Sequence, residues 1–162
     1  MNKALFLDRD GVINIDHGYL HKKEDFEFVP HIVDLMQYMS SRGYIIVVIT
    51  NQSGINRGYY TLEQFLDLTK YIENECKKRG VTIRNTYYCP HTPEENCDCR
   101  KPKPKMILDA IKDLDIDPKN SIMIGDKPSD IEAAKNAGVS RGFLVSNSNS
   151  LLDIMEVLKK EF

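Results

Sequence analysis

The sequence predicts an α/β fold, a doubly wound parallel sheet, and two observations carry that prediction. Short β-branched runs alternate along the chain with longer amphipathic stretches, and the polar residues capable of chemistry fall directly behind the runs rather than inside them. Such alternation demands right-handed crossovers with helices on both faces, and it puts a ligand site at the carboxyl ends of the strands.

Taken in order, "ALFL" (4–7) is the first strand, interrupted at once by Asp8, Arg9 and Asp10. A helical pattern over 31–42 stops at Gly43, and "YIIVVIT" (44–50) forms the second strand, with Thr50 and Asn51 at its end. A longer helix over 61–79 stops at Gly80 and is followed by the third strand, "TIRNTYY" (82–88). The run "CRKPKPK" (99–105) then leads into a helix over 104–115. The fourth strand is "SIMIG" (121–125), trailed by Asp126 and Asp130, with a helix over 129–137 ending at Gly138. "GFLV" (142–145) is the fifth strand, and the polar "SNSNS" (146–150) reads as a loop and N-cap before a last helix over 149–161.

The 162 residues, 41% hydrophobic and 28% charged, suit one domain over 1–162 and leave no room for a second that would fold over a substrate. A net charge of −2 offers no electrostatic case for binding nucleic acid or an anionic membrane. The apolar runs are too short to span a bilayer, and the charges from Asp8 onward break any secretory pattern. A cytoplasmic monomer acting on a small molecule is expected.

A lone aspartate after a strand is an ordinary turn or N-cap residue. Asp8, Asp126 and Asp130 at two strand ends are harder to dismiss, since crowded negative charge is tolerable with a divalent cation, and hard oxygen ligands suit Mg²⁺. Beside such an ion Asp8 can act as an ionised nucleophile on phosphorus, and Asp10 can protonate the leaving oxygen and then deprotonate the incoming water. Lys101 supplies a second positive charge, and the Thr50 hydroxyl with neighbouring backbone amides can hold phosphoryl oxygens.

A second constellation, "CPHTPEENCDC" (89–99), offers three thiolates and one imidazole from Cys89, His91, Cys97 and Cys99, a filled tetrahedral shell that points to structural Zn²⁺. A disulfide and a redox pair are the alternatives, disfavoured by a reducing compartment and by the included histidine. Cys76, alone in a helical stretch, reads as a small buried apolar residue. His17, His21 and His31 read as polar loop or surface residues.

In order along the chain, "DRDGV", "TNQSG", "RKPKP" and "GDKPSD" resemble the four motifs of the haloacid dehalogenase superfamily of aspartyl phosphatases, over nearly the whole sequence. The resemblance implies a Rossmann-like sheet of strand order 3-2-1-4-5 without a cap domain. It makes Asp8 the nucleophile and Asp10 the acid/base, with Mg²⁺ on the Asp8 and Asp126 carboxylates and the Asp10 carbonyl. Asp130 would stand in the outer shell or support Lys101. Thr50, Asn51, Gln52, Ser53 and Lys101 would meet the phosphate. The cysteine loop, with "DHGYLHKKEDFEFVP" (16–30) and "TNQSGINRGYYTLEQF" (50–65), is similar to the branch of heptose bisphosphate and histidinol-phosphate phosphatases. Ser53 and the Asn-Arg-Gly run favour the former, and imply removal of the C7 phosphate from a heptose 1,7-bisphosphate in the supply of lipopolysaccharide or capsule precursors. Specificity would come from loops 16–30 and 53–60 and the cysteine loop, with Arg57 and Arg100 placed to meet a second phosphate or sugar hydroxyls.

Two other classes fit less well. A receiver-like signalling domain also gathers aspartates around magnesium, but needs neither an acid at Asp10 nor a zinc loop. A polynucleotide end-processing phosphatase would want a basic, aromatic-rich surface that this composition lacks.

Overall fold

β1 (Lys3–Leu7) occupies the middle of the sheet because its residues from Ala4 onward are apolar and buried on both faces. β2 (Tyr44–Asn51), β3 (Ile83–Cys89), β4 (Ile122–Gly125) and β5 (Arg141–Leu144) complete a parallel sheet of order β3-β2-β1-β4-β5. The structure, a computed structural model, describes residues 1–161. Register pairs Leu7 with Val48 of β2 and with Ile124 of β4, so Asp8, Thr50 and Asp126 emerge together at one end of the sheet. Strand order therefore reverses on either side of β1, opening a crevice where a doubly wound sheet binds ligands.

Among the described residues five α-helices cover the faces. α1 (Ile32–Ser41), α2 (Leu62–Lys78) and α5 (Leu151–Lys159) bury Leu35, Leu68, Ile72 and Ile154 against Leu5, Leu7, Ile46 and Val48. α3 (Lys105–Leu114) and α4 (Pro128–Asn136) bury Met106, Ile107, Ala133 and Ala134 against Phe6, Val47, Ile49 and Met123. Alternation along each strand divides the core into these two layers. Every expected element is present with ends displaced by at most two residues, and Cys76 lies fully buried in α2 as expected. Among the described residues no helix is long and apolar enough to cross a membrane.

Local caps fix where the helices begin. Thr61 accepts from the Gln64 backbone N–H while the Gln64 side chain accepts from the Thr61 N–H, and Ser150 and Asp153 repeat the exchange at α5. Three short 3₁₀ turns, Lys23–Asp25, Pro93–Glu95 and Pro118–Asn120, fall in segments without hydrophobic period.

Removing the Phe6 ring leaves a hole in the layer between β1 and α3/α4, and Phe6→Ala is expected to cost ~3–5 kcal/mol in urea unfolding. Thr61→Ala removes one cap and is expected to cost about 1 kcal/mol in the same measurement.

Candidate active site

The chain turns sharply after β1, and the Arg9 carbonyl organises the turn by accepting from the backbone N–H groups of Val12, Ile13 and Asn14 at 3.2, 2.8 and 3.1 Å. The turn sends two neighbouring carboxylates into different surroundings. Asp8, 7% exposed, meets Lys101 Nζ at 3.0 Å and lies with Asp126 and Asp130 in a cluster whose carboxylate oxygens are within 4.8 Å of one another. Asp10 faces the other way. Its Oδ1 accepts from Arg9 Nη2 at 2.9 Å and Asn14 Nδ2 at 3.0 Å, and its Oδ2 accepts from Gln52 Nε2 at 3.0 Å.

Two glycines make room for the carboxylates that come from β4. A Cβ at Gly11, whose φ is +86°, would overlap the Asp126 carboxylate, and one at Gly125 would overlap Asp130. Asp130 in turn caps α4, with Oδ2 accepting from the backbone N–H groups of Asp126 and Lys127 at 3.1 Å each, while its Oδ1 meets Lys101 Nζ at 2.6 Å. Lys101 also donates to the Ile49 carbonyl at 2.9 Å, and its backbone N–H donates to Asn51 Oδ1 at 3.1 Å. The lysine loop is thus tied to the end of β2.

Electrostatics follow from this crowding. Burial pushes the Asp8 carboxyl up to about 8, with Asp130 and Asp126 adding to the rise and Lys101 opposing it. Burial also raises Asp126. For Lys101 burial works against the charge, yet the Asp8 and Asp130 carboxylates outweigh it and hold the ammonium above its ordinary value. Asp126 Oδ1 is buried without a hydrogen-bond partner. An orphaned oxygen among three crowded carboxylates fits a hard divalent cation, which would relieve the repulsion and take up the free lone pairs.

Above these groups opens a cleft of about 330 Å³, lined by Asp10, Asn51, Gln52, Ser53, Arg57, Arg100 and Lys101 among others. The predicted phosphate and sugar contacts are therefore brought together, apart from Thr50, which is buried at 1% exposure and is reached through Gln52, whose Nε2 donates to Thr50 Oγ1 at 2.9 Å. Arg57 is exposed and donates from Nε to Ser53 Oγ at 3.1 Å; Arg100 is half-buried and donates to the His91 carbonyl at 3.4 Å. Tyr19, Tyr60, Lys127 and Ser129 also line the cleft. Only "GYLH" and "GYY" in the quoted loops hint at the tyrosines, and no motif signals that Arg9 is 2% exposed.

The cysteine loop departs from the expected four-ligand set in two respects. Cys89 and Cys99 are joined as a disulfide, with Cα atoms 5.7 Å apart, where thiolates were expected. His91 stands outside the cluster, its Nδ1 paired at 2.5 Å with Glu95, four residues along the same turn and close enough to compete for the ring. The three sulfurs nevertheless converge, with Cys97 Sγ 3.5 Å from Cys89 and 3.8 Å from Cys99. Joined, the pair has no thiolates to give; reduced, the three sulfurs are the soft donors that zinc takes.

The haloacid dehalogenase-like hydrolase family model matches residues 3–138. A D-glycero-beta-D-manno-heptose-1,7-bisphosphate 7-phosphatase of Helicobacter pylori is 54% identical over 145 residues, covering 89% of this chain and 84% of that one. A D-glycero-alpha-D-manno-heptose-1,7-bisphosphate 7-phosphatase of Campylobacter jejuni is 47% identical over 157 residues, covering 97% and 90%. The crystal structure of D,D-heptose 1,7-bisphosphate phosphatase from B. bronchiseptica, complexed with magnesium and phosphate, superposes with a TM-score of 0.87 at 26% identity, covering 99% of each chain. With the match running from the start of β1 to the end of α4, through every residue of the carboxylate cluster, this chain belongs to the haloacid dehalogenase-like hydrolases.

Proposed function

We propose that this protein is a Mg²⁺-dependent phosphatase that removes the C7 phosphate of a D-glycero-D-manno-heptose 1,7-bisphosphate through a phosphoaspartate on Asp8, the whole reaction carried by one uncapped domain. The observation that carries the chemistry is Lys101 Nζ set between Asp8 at 3.0 Å and Asp130 at 2.6 Å, beside an Asp126 oxygen that has no partner. The substrate follows the relatives, whose names share the heptose bisphosphate and differ in the anomer. Histidinol phosphate is the alternative substrate.

Asp8 and Asp126 carboxylates with the Asp10 carbonyl would hold Mg²⁺, which when bound supplies positive charge to the attacking carboxylate and the phosphoryl oxygens. Asp8 attacks phosphorus as the bond from phosphorus to the C7 oxygen breaks, and the departing oxygen takes the proton of the Asp10 carboxyl. The Asp10 carboxylate then removes a proton from water as that water attacks phosphorus. The acyl phosphate bond breaks, inorganic phosphate leaves, and the Asp8 carboxylate is restored. Lys101 opposes the rise that burial imposes on Asp8 and, with Thr50 and nearby backbone N–H groups, balances charge on the phosphoryl oxygens. Arg100 and Arg57, on the cleft wall, meet the second phosphate.

Cys89, Cys97 and Cys99 in their reduced form would hold a structural Zn²⁺, with His91 as the fourth donor once it turns from Glu95. The ion would stiffen the loop that carries Arg100 and Lys101.

Asp8→Asn is expected to abolish turnover with the fold intact by circular dichroism; near-normal hydrolysis would replace the covalent route with attack by water. EDTA dialysis should remove activity that Mg²⁺ restores, and protein purified under reducing conditions should carry about one zinc per chain by elemental analysis. Protein without zinc would leave the cysteine loop to its disulfide. Arg100→Ala should lower kcat/KM for heptose 1,7-bisphosphate by on the order of ten- to a hundred-fold and affect a monophosphate much less. Equal losses on both, or histidinol phosphate matching the heptose ester, would overturn the substrate assignment.

A further inference from the structure

In the wall of the cleft Asp10, Gln52 and Tyr60 form a hydrogen-bonded group that also reaches Thr50. Gln52, 3% exposed, donates from one Nε2 to Asp10 Oδ2 at 3.0 Å and Thr50 Oγ1 at 2.9 Å, and its Oε1 accepts from the Tyr60 hydroxyl. Once Asp10 has given up its proton it can only accept, so in that state the NH₂ faces Asp10 and the carbonyl oxygen faces away, where it requires a donor. Tyr60, 5% exposed, is that donor, and burial pushes its hydroxyl up to about 12, so it keeps its proton.

We propose that Tyr60 is a positioning residue for the reaction, its hydroxyl locking the Gln52 amide so that the NH₂ group holds the Asp10 carboxyl group in place. The proposal rests on the role given above to Asp10. Arg9 and Asn14 already occupy Asp10 Oδ1, so the Gln52 contact decides where Oδ2 points. The chain itself keeps space for the tyrosine. A Cβ on Gly54 would overlap the Tyr60 ring and lie 2.9 Å from its hydroxyl oxygen. His21 stacks on the other side, with ring centroids 5.1 Å apart. Tyr60 is thus held by the space that Gly54 leaves and by the His21 ring.

The test separates positioning from packing through the leaving group. kcat/KM ends at the first irreversible step, departure of the leaving group, which an alkyl phosphate can make only with a proton from Asp10 and p-nitrophenyl phosphate can make without one. Tyr60→Phe keeps the ring and should lower kcat/KM for heptose 1,7-bisphosphate by on the order of ten-fold, with less than about two-fold lost on p-nitrophenyl phosphate. Gly54→Ala, which displaces the same ring by a separate route, should give the same selective loss. Asp10→Asn, measured alongside, should show a larger selective loss. Equal losses on both esters, or no loss, in a Tyr60→Phe protein with native melting temperature would overturn the proposal while selective loss in Asp10→Asn leaves the phosphatase reading standing. Absence of selectivity in Asp10→Asn would overturn the acid role of Asp10 and this proposal with it.

Discussion

Everything at the end of this sheet depends on one ammonium. Lys101 Nζ sits 2% exposed between Asp8 and Asp130, and without it two carboxylates would be buried at close range with nothing to balance them. Removing one partner from a buried ion pair typically costs ~3–5 kcal/mol, because the remaining charge is stranded. The lysine is also the point at which separate parts of the fold are joined. It binds the end of β1 through Asp8, the end of β2 through the Ile49 carbonyl, and the start of α4 through Asp130.

The crowding of carboxylates around it explains why glycine precedes Asp126 and follows Asp10. Carboxylates from β1 and β4 can share a cation only if the backbone between them is bare, and the side chains that would intrude at Gly11 and Gly125 are absent. The same economy governs Asp130, which caps α4 with one oxygen and meets Lys101 with the other. A residue read from sequence as either a helix cap or a site residue is both at once.

The fold was legible because its signals are local. β-branched runs, glycine stops and the N-cap stretch that holds Ser150 each act within a few residues, and the sheet order followed from the motif resemblance and is observed. The carboxylate cluster was legible because its members stand directly behind strands. Less was readable where partners are distant or compete. The bond from Tyr60 to Gln52 spans eight residues and needs the space that Gly54 leaves for the ring, and the buried Arg9 reaches the distant Leu20, whose carbonyl accepts from Nη2 at 3.0 Å. In the cysteine loop the spacing supplied the ligand types but not the competition, since Glu95 claims His91 and Cys99 claims Cys89.

β1 is the middle strand, yet it leaves the ribosome before the other four strands of the sheet, and one of its two neighbours is β4. During synthesis β1 can pair with β2 as soon as that strand emerges, but its other edge stays bare until most of the chain has been made. The nascent protein therefore holds Asp8 at the rim of an incomplete sheet, with its balancing lysine arriving later and Asp126 and Asp130 last. A ribosome stalled before β4 would display a strand edge awaiting a partner, which is the kind of surface that chaperones cover.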